Sequence, residues 1–262
     1  MTGPRLLAID EGNTNTVFAI FEAKVLRGHW RVATRTDRTA DEYAAMLAQL
    51  MGLEGLGLDH IADVIISSVV PQGLFALQRL ASKYFRCEPL IVGRNVELGM
   101  RVLVDRPWEV GADRLVNAVG GHVTHGGAMI IVDFGTATTF DVVDEDGDLH
   151  GVSIAPGVNL ALEALHQAAA SLPRVAIERP PAVIGKSTVP AMQSGIYWGY
   201  VGLVEGLVAR IRTEFGRPLR VVATGGLAPL FDAATDAIEI VDGDLTIKGL
   251  SELYRRNRPG AA

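Results

Sequence analysis

Two stretches place an aspartate where an apolar run would otherwise continue. The first is LLAIDEGNTNTVFAIF, residues 6–21, in which a hydrophobic segment ends at Asp10, passes through Gly12, Asn13 and Thr14, and resumes at once. A carboxylate at the end of a buried strand is costly unless it has a partner or a task. The second is IVDFGTATTFDVVDEDG, which repeats the order apolar strand, Asp, any residue, Gly, small polar turn, Thr, apolar strand. Aligned, Asp10 falls on Asp133, Gly12 on Gly135 and Thr16 on Thr139, each pair 123 residues apart. Glycine lets a backbone approach a phosphate closely, and Thr and Asn donate hydrogen bonds to it. Two aspartates brought together by related halves would hold a cation against such phosphates. A third stretch, LRVVATGGLAPL, runs from a β-branched strand into Gly225 and Gly226 and then a helix start, where a nucleotide's sugar and phosphates can lie on bare backbone. Singly, each motif is more often an ordinary turn or loop start. As an ordered set of three, they point to nucleotide binding.

Composition narrows the setting. The chain has 262 residues, enough for one large domain or two half-sized ones. No apolar run reaches the roughly eighteen residues of a membrane helix, and the N-terminal residues lack the basic-then-apolar order of a signal peptide, so a cytoplasmic protein with no membrane partner is expected. A net charge of −6 without a basic run argues against nucleic acid as a partner. The single cysteine, Cys87, cannot form an internal disulfide and reads as a small buried side chain beside Tyr84 and Phe85.

The elements that must position these motifs alternate between short β-rich runs and longer helical patterns, which predicts an α/β protein. Strands are expected at 5–9, 16–21, 30–34, 63–68, 90–92, 128–132, 138–143, 149–154, 219–223 and 238–241. Helices are expected at 71–85, 110–125, 158–171, 188–215 and 245–257, and across RTADEYAAMLAQLM, where Thr39 and Glu42 form a capping box. The tail RPGAA is expected to fray. The repeat of the Asp-x-Gly hairpin divides the chain into two halves of like fold, 1–125 and 126–262.

The order of DEGNTNT, DFGTATT and ATGGLA resembles the two phosphate motifs and the adenosine motif of the actin-like ATPase superfamily, which includes acetate and sugar kinases. Further stretches narrow this. WEVGADRLVNAVGG, SIAPGVNLALEAL, LPRV, GKSTVPAMQSG and DLTIKGLSELYRRN are similar, in order and along nearly the whole chain, to the type III pantothenate kinases. The resemblance implies two tandem RNase H-like (actin-like ATPase) halves, each a mixed sheet flanked by helices, and ATP-dependent phosphorylation of pantothenate, the first step toward coenzyme A. It implies Asp113 of GADR as the proton acceptor, with Gly111, Ala112, Asp113, Arg114 and Thr188 lining the substrate site. Asp10, Glu11, Gly12, Asn13, Thr14, Asn15, Thr16 and Val17 correspond to the phosphate loop, and Thr136 to a further ATP contact. Asp133, with Asp10, is implied as a metal ligand, with potassium or ammonium as the monovalent cation and Mg2+ accompanying ATP. A homodimer is implied, burying part of a stripe formed by Met192, Ile196, Tyr197, Tyr200, Val204, Leu207, Val208 and Ile211, which by spacing alone is simply core.

The chain departs from the family at Glu11, where a small or aliphatic residue is usual. If the strand continues, Glu11 points away from Asp10 into the covering layer. If it turns the other way, it sets negative charge beside the triphosphate. Val104, nine residues before Asp113, stands where many members carry a tyrosine that contacts pantothenate. These departures admit an alternative, a nucleotide-binding accessory or regulatory protein of the same family with weakened catalysis. Retention of Asp10, Asp113, Arg114 and Asp133 favours the enzyme.

Overall fold

The structure is a computed structural model and describes residues 5–169 and 172–258. The expected helix end at 170 and 171 and the tail residues 259–262 lie outside the described residues. The chain groups into two compact units, one holding the residues up to His125 together with the closing segment from Leu245, the other Gly126–Asp244.

In the first unit, β1 (Arg5–Glu11), β2 (Asn15–Glu22), β3 (Val25–Ala33), β4 (Ile61–Ser68) and β5 (Leu90–Ile91) form one sheet in the order β3-β2-β1-β4-β5. β2 lies antiparallel to β1 and to β3, whereas β4 runs parallel to β1 and β5 parallel to β4. Period-two alternation along β1 sorts its side chains between two faces. Leu7 and Ile9 join Phe18 and Ile20 of β2 in a core covered by Tyr43, Leu47 and Met51 of α1 (Ala40–Leu53) and Leu74, Leu77 and Leu80 of α2 (Pro71–Leu80). The expected capping box is present: Glu42 N–H donates to Thr39 Oγ1 at 3.3 Å, and Thr39 N–H to Glu42 Oε2 at 2.7 Å. The helix expected over 71–85 holds its α form to Leu80 and then widens into a π-helical turn, Ala81–Phe85, closed by Arg86 in a left-handed conformation at φ 57°. Cys87 packs half-buried against this core, and burial pushes its thiol up to about 11.

α3 (Ala112–His125) and α7 (Leu245–Asn257) pack against one another in the same unit. Thr246 Oγ1 donates to Asn117 Oδ1 at 2.7 Å, and Tyr254 hydroxyl to Asp63 Oδ2 at 2.7 Å. Leu245, Ile247, Leu250 and Leu253 are buried, so the apolar face of α7 is the reason the end of the chain sits with the first unit.

The second unit repeats the plan. β6 (Met129–Phe134), β7 (Ala137–Val143), β8 (Leu149–Pro156), β9 (Arg220–Thr224) and β10 (Ile240–Val241) follow the order β10-β9-β6-β7-β8, with the same parallel and antiparallel pairings. α4 (Val158–Ala168), α5 (Thr188–Phe215) and α6 (Ala228–Asp232) accompany it. Of the expected apolar stripe, Tyr197, Tyr200, Val204 and Val208 are buried in this unit's core, with Ile196, Leu207 and Ile211 partly buried against it.

The register of the two hairpins corrects the sequence alignment beyond the turn. Gly12 N–H reaches Asn15 C=O at 3.0 Å, so two residues cross the first turn, whereas Gly135 N–H reaches Ala137 C=O at 3.0 Å with a single residue between them. Glu11 therefore pairs with Thr16, but Phe134 pairs with Thr138. The structural counterpart of Thr16 is Thr138 rather than Thr139, and that of Phe18 is Phe140; all four are 0 % exposed.

Candidate active site

In the first unit, β1 carries Asp10 and Glu11 to the edge of the core, and the turn after them presents Asn13, Thr14 and Asn15 to solvent. The turn is braced from β3's end. Thr34 Oγ1 donates to Gly12 C=O at 2.7 Å and lies 2.9 Å from Thr16 Oγ1, while Thr34 N–H donates to Thr14 C=O at 3.0 Å. Thr16 and Val17 themselves are buried, so the part of the expected phosphate loop that can meet a ligand is its backbone and the exposed tip.

Glu11 takes the first of the two orientations considered for it. Its side chain follows Leu7 and Ile9 onto the face under α2 and is 0 % exposed. Oε2 accepts a 2.6 Å hydrogen bond from Ser68 Oγ at the end of β4, and Oε1 is buried without a hydrogen-bond partner among the described residues. Space for the carboxyl exists because residue 73 is glycine: a Cβ there would collide with Oε1. Burial holds the Glu11 carboxyl above the usual range, opposed by the Ser68 hydroxyl. The neighbouring Tyr43 phenol is likewise raised, by burial first and then by the charge of Glu11. The Glu11 side chain thus lies in the core, and of this expected ATP contact only the backbone is left to meet a ligand.

Asp113 sits in the first turn of α3, half-buried, with Oδ1 accepting from Arg114 N–H at 2.8 Å. Burial raises its carboxyl above the usual aspartate range, against the lowering effect of that N–H and of the Arg114 guanidinium. The loop after β4 links this turn to the phosphate hairpin. Val69 N–H donates to Glu11 C=O at 3.1 Å, and the Val69 side chain stands beside Gly111, a Cβ on which would fall 3.6 Å from Val69 Cγ1 and 2.6 Å from Asp113 Oδ1. Val69 therefore meets both the residue after Asp10 and Gly111 at the start of the Asp113 turn. Val104 is half-buried in the loop that precedes it.

The remaining predicted residues belong to the second unit. Asp133, at the end of β6, is half-buried. Gly225, at φ +92°, folds directly over it: a Cβ at residue 225 would lie 2.6 Å from Phe134 C=O and 2.7 Å from Asp133 Oδ1. The Gly-Gly turn is required there by both its left-handed backbone and that approach. Thr136 is exposed at the hairpin tip, its C=O accepting from Gly157 N–H at 3.1 Å. Thr188 is the first residue of α5 and exposed; the cap position belongs to Ser187.

Sequence reasoning missed Thr34, Ser68, Val69 and Gly73. A signal existed for two of them: Ser67-Ser68 ends an otherwise apolar strand, and Gly73 interrupts a helix just begun by Pro71.

Among the described residues, a group of three metal-ligating side chains comes together only at Asp144, Asp146 and Asp148, in the β7–β8 turn. A cation at Asp10 or Asp133 would thus have few protein carboxylates and take its other ligands from phosphate and water, the coordination Mg2+ favours. The residues fit that group.

Paired mixed sheets of this topology, each with an Asp-x-Gly hairpin at its centre, define an actin-like ATPase fold. Solved structures agree. One assigned as a 2-dehydro-3-deoxygalactonokinase of Sinorhizobium meliloti superposes with a TM-score of 0.61 at 15% identity, covering 97% of each chain. The ethanolamine utilization protein EutJ of Carboxydothermus hydrogenoformans gives 0.54 at 12% identity, covering 97% of this chain and 91% of its own. The family model for type III pantothenate kinase matches residues 6–210. The type III pantothenate kinase of Rhodospirillum rubrum is 62% identical over 255 residues, 97% of this chain and 99% of that one, and that of Caulobacter vibrioides is 55% identical over 254 residues, covering 96% and 97%. The chain belongs to the type III pantothenate kinase family.

Proposed function

We propose that this chain transfers the γ-phosphoryl group of ATP to the primary hydroxyl of pantothenate, the first step of coenzyme A biosynthesis, with Asp113 as the base. What carries the assignment of roles is the junction at Val69, which holds the phosphate hairpin and the Asp113 turn against each other in one unit. A hydroxyl nucleophile needs orientation and a late proton acceptor more than a strong base. A half-buried aspartate at a helix start meets that need, and burial makes it a better acceptor than a solvated one.

The exposed backbone of residues 12–15 holds ATP phosphates, with Thr136 as a further contact. Asp10 and Asp133 hold cations; Mg2+ supplies charge neutralisation to the transferring phosphoryl group, and potassium or ammonium is the monovalent ion at Asp133. Gly111, Ala112, Arg114, Thr188 and Val104 face pantothenate, with the Arg114 guanidinium suited to fork onto its carboxylate. At Val104 a phenol hydrogen bond is missing, a loss of about 1 kcal/mol, which weakens but does not abolish binding.

The protein acts as a cytoplasmic homodimer. Among the described residues no helix is long and apolar enough to cross a membrane. The second unit exposes Ile154 of β8, Leu160 and Leu165 of α4, and Val183, Ile184 and Val189 around the start of α5, which supports an apolar interface with a second copy.

The deciding experiment is a coupled ADP-release assay with pantothenate, with and without potassium or ammonium. Turnover that needs one of these ions is expected. Intact nucleotide binding with no turnover under either ion would replace this reading with an accessory role.

A further inference from the structure

Glu11 ends β1, and its carboxyl touches no solvent and is held by a partner and a space that both come from the β4–α2 segment. Ser68 closes β4 and donates to Glu11 Oε2 at 2.6 Å. The same hydroxyl accepts from Val70 N–H at 3.0 Å, so it is fixed by the backbone that leads into α2. Gly73, in the first turn of α2, leaves the room that the carboxyl fills. Between Ser68 and Val70 lies Val69, whose N–H is bonded to the Glu11 carbonyl at 3.1 Å and whose side chain abuts Gly111 beside Asp113. Side chain and main chain of Glu11 therefore grip the segment from Ser68 to Gly73 from two directions, and Val69 of that segment lies between the phosphate hairpin and the Asp113 turn.

We propose that Glu11 is a positioning residue for phosphoryl transfer, clamping the phosphate hairpin to the β4–α2 turn so that the hairpin backbone is held in register with the Asp113 turn through Val69. It touches no reacting atom. An aliphatic side chain at this position could fill volume, but it could not engage Ser68 and so would leave the turn located by packing alone. The proposal rests on the hairpin's role in holding ATP phosphates, and it extends that role to a residue and a turn outside the phosphate loop.

The test uses steady-state kinetics of the full chain with ATP and pantothenate varied separately, on Glu11→Ala, Glu11→Gln and Ser68→Ala, well below each variant's melting temperature. KM is independent of the fraction of molecules that fold, so it reports position where kcat alone would not. Glu11→Ala and Ser68→Ala are expected to raise KM for ATP at least five-fold, and Glu11→Gln, which keeps the shape and an acceptor for Ser68, to bring it back within two-fold of the unaltered chain. KM for ATP within two-fold of the unaltered chain in Glu11→Ala or in Ser68→Ala overturns the proposal, whatever happens to the melting temperature. Glu11→Gln as impaired as Glu11→Ala overturns it too, because charge and not placement would then be the cause. Ser68→Ala keeps the question answerable if Glu11→Ala does not fold. Failure of the unaltered chain to turn over would instead remove the kinase reading on which this one stands.

Discussion

Replacing Gly73 with alanine adds one methyl group where the Glu11 carboxyl already sits. A flexible acidic side chain would ordinarily swing aside, but Glu11 is 0 % exposed and enclosed by Ser68, Tyr43 and the α2 turn, so yielding means breaking its bond to Ser68. Overpacking in a closed core costs about 1–3 kcal/mol. Loss of a hydrogen bond to a carboxyl adds about 1–2 kcal/mol. Against these, alanine is the better helix former by about 1 kcal/mol. The net effect expected is a destabilisation of about 2 kcal/mol, which for a chain of this size corresponds to a fall of roughly 4–8 °C in melting temperature. Thermal melts of Gly73→Ala, Glu11→Ala and the double variant close the cycle. Because shortening residue 11 vacates the volume the new methyl needs, the double variant should be no less stable than Glu11→Ala alone, a strongly non-additive result. A Gly73→Ala chain that melts at or above the unaltered one, or a double variant whose losses simply add, would refute the reasoning.

Asp113→Asn should cut kcat by about 10²-fold or more in the ADP-release assay while leaving the fold intact, since the amide keeps the oxygen that accepts from Arg114 N–H; near-normal turnover would remove Asp113 as the base. Because burial raises its pKa, the base is lost as pH falls through a value above the ordinary aspartate figure of about 3.9, and the acid limb of kcat/KM should lie above that figure. The same shift has a sign for stability: the folded state favours the protonated carboxyl, so this group's contribution is full at low pH and lost as pH rises through the folded value. Asp113→Asn should therefore melt higher than the unaltered chain at neutral pH, with the difference closing in acid. Gly225→Ala places a Cβ 2.6 Å from Phe134 C=O in a left-handed backbone, and a drop in melting temperature together with weakened nucleotide binding is expected by calorimetry. Exchange of potassium for sodium should abolish most turnover if Asp133 holds a monovalent cation as proposed.

Most strands were legible because they are short apolar runs between turn residues, and the helix starts because capping and periodicity marked them; the first half of β3, Val25–His29, was missed because this largely exposed strand carries Arg27 and His29 and has no apolar run to mark it. What misled was counting. A constant offset of 123 placed Thr16 on Thr139, because a one-residue difference in turn length leaves no trace when both hairpins are rich in Thr. The pattern of large buried side chains, Phe18 and Phe140, carried the true register and could have been read instead. The π-helical turn after Leu80 was invisible, since Ala81–Phe85 continues the apolar spacing of α2. Of the candidate site, the aspartates and glycines could be named from the sequence because their types are unusual in such strands; Thr34, Ser68 and Gly73 act through partners 18 to 62 positions away in the chain, and no local pattern announces such a pair.

The two units also show why an acidic residue can stand where the strand enters the turn. Glu11 and Phe134 occupy the same structural position, one residue past the hairpin aspartate and facing the helix that follows the parallel neighbour strand. In the second unit that helix is α6, and Phe134 stacks on its Phe231 with ring centroids 5.1 Å apart and planes 9° from parallel. In the first it is α2, which offers Gly73 instead of a ring, and the strand beside it ends in Ser68. The position is thus one that must be filled from the hairpin side for the covering helix to sit correctly, by an aromatic against an aromatic or by a carboxyl against a glycine and a hydroxyl. An exchange of Glu11 alone for phenylalanine should fail, because the ring would meet the α2 backbone at Gly73 with no partner to stack on and would leave Ser68 without its acceptor. The acidic residue is accommodated because Ser68 supplies a donor and Gly73 supplies room, so residues 11, 68 and 73 act as one set.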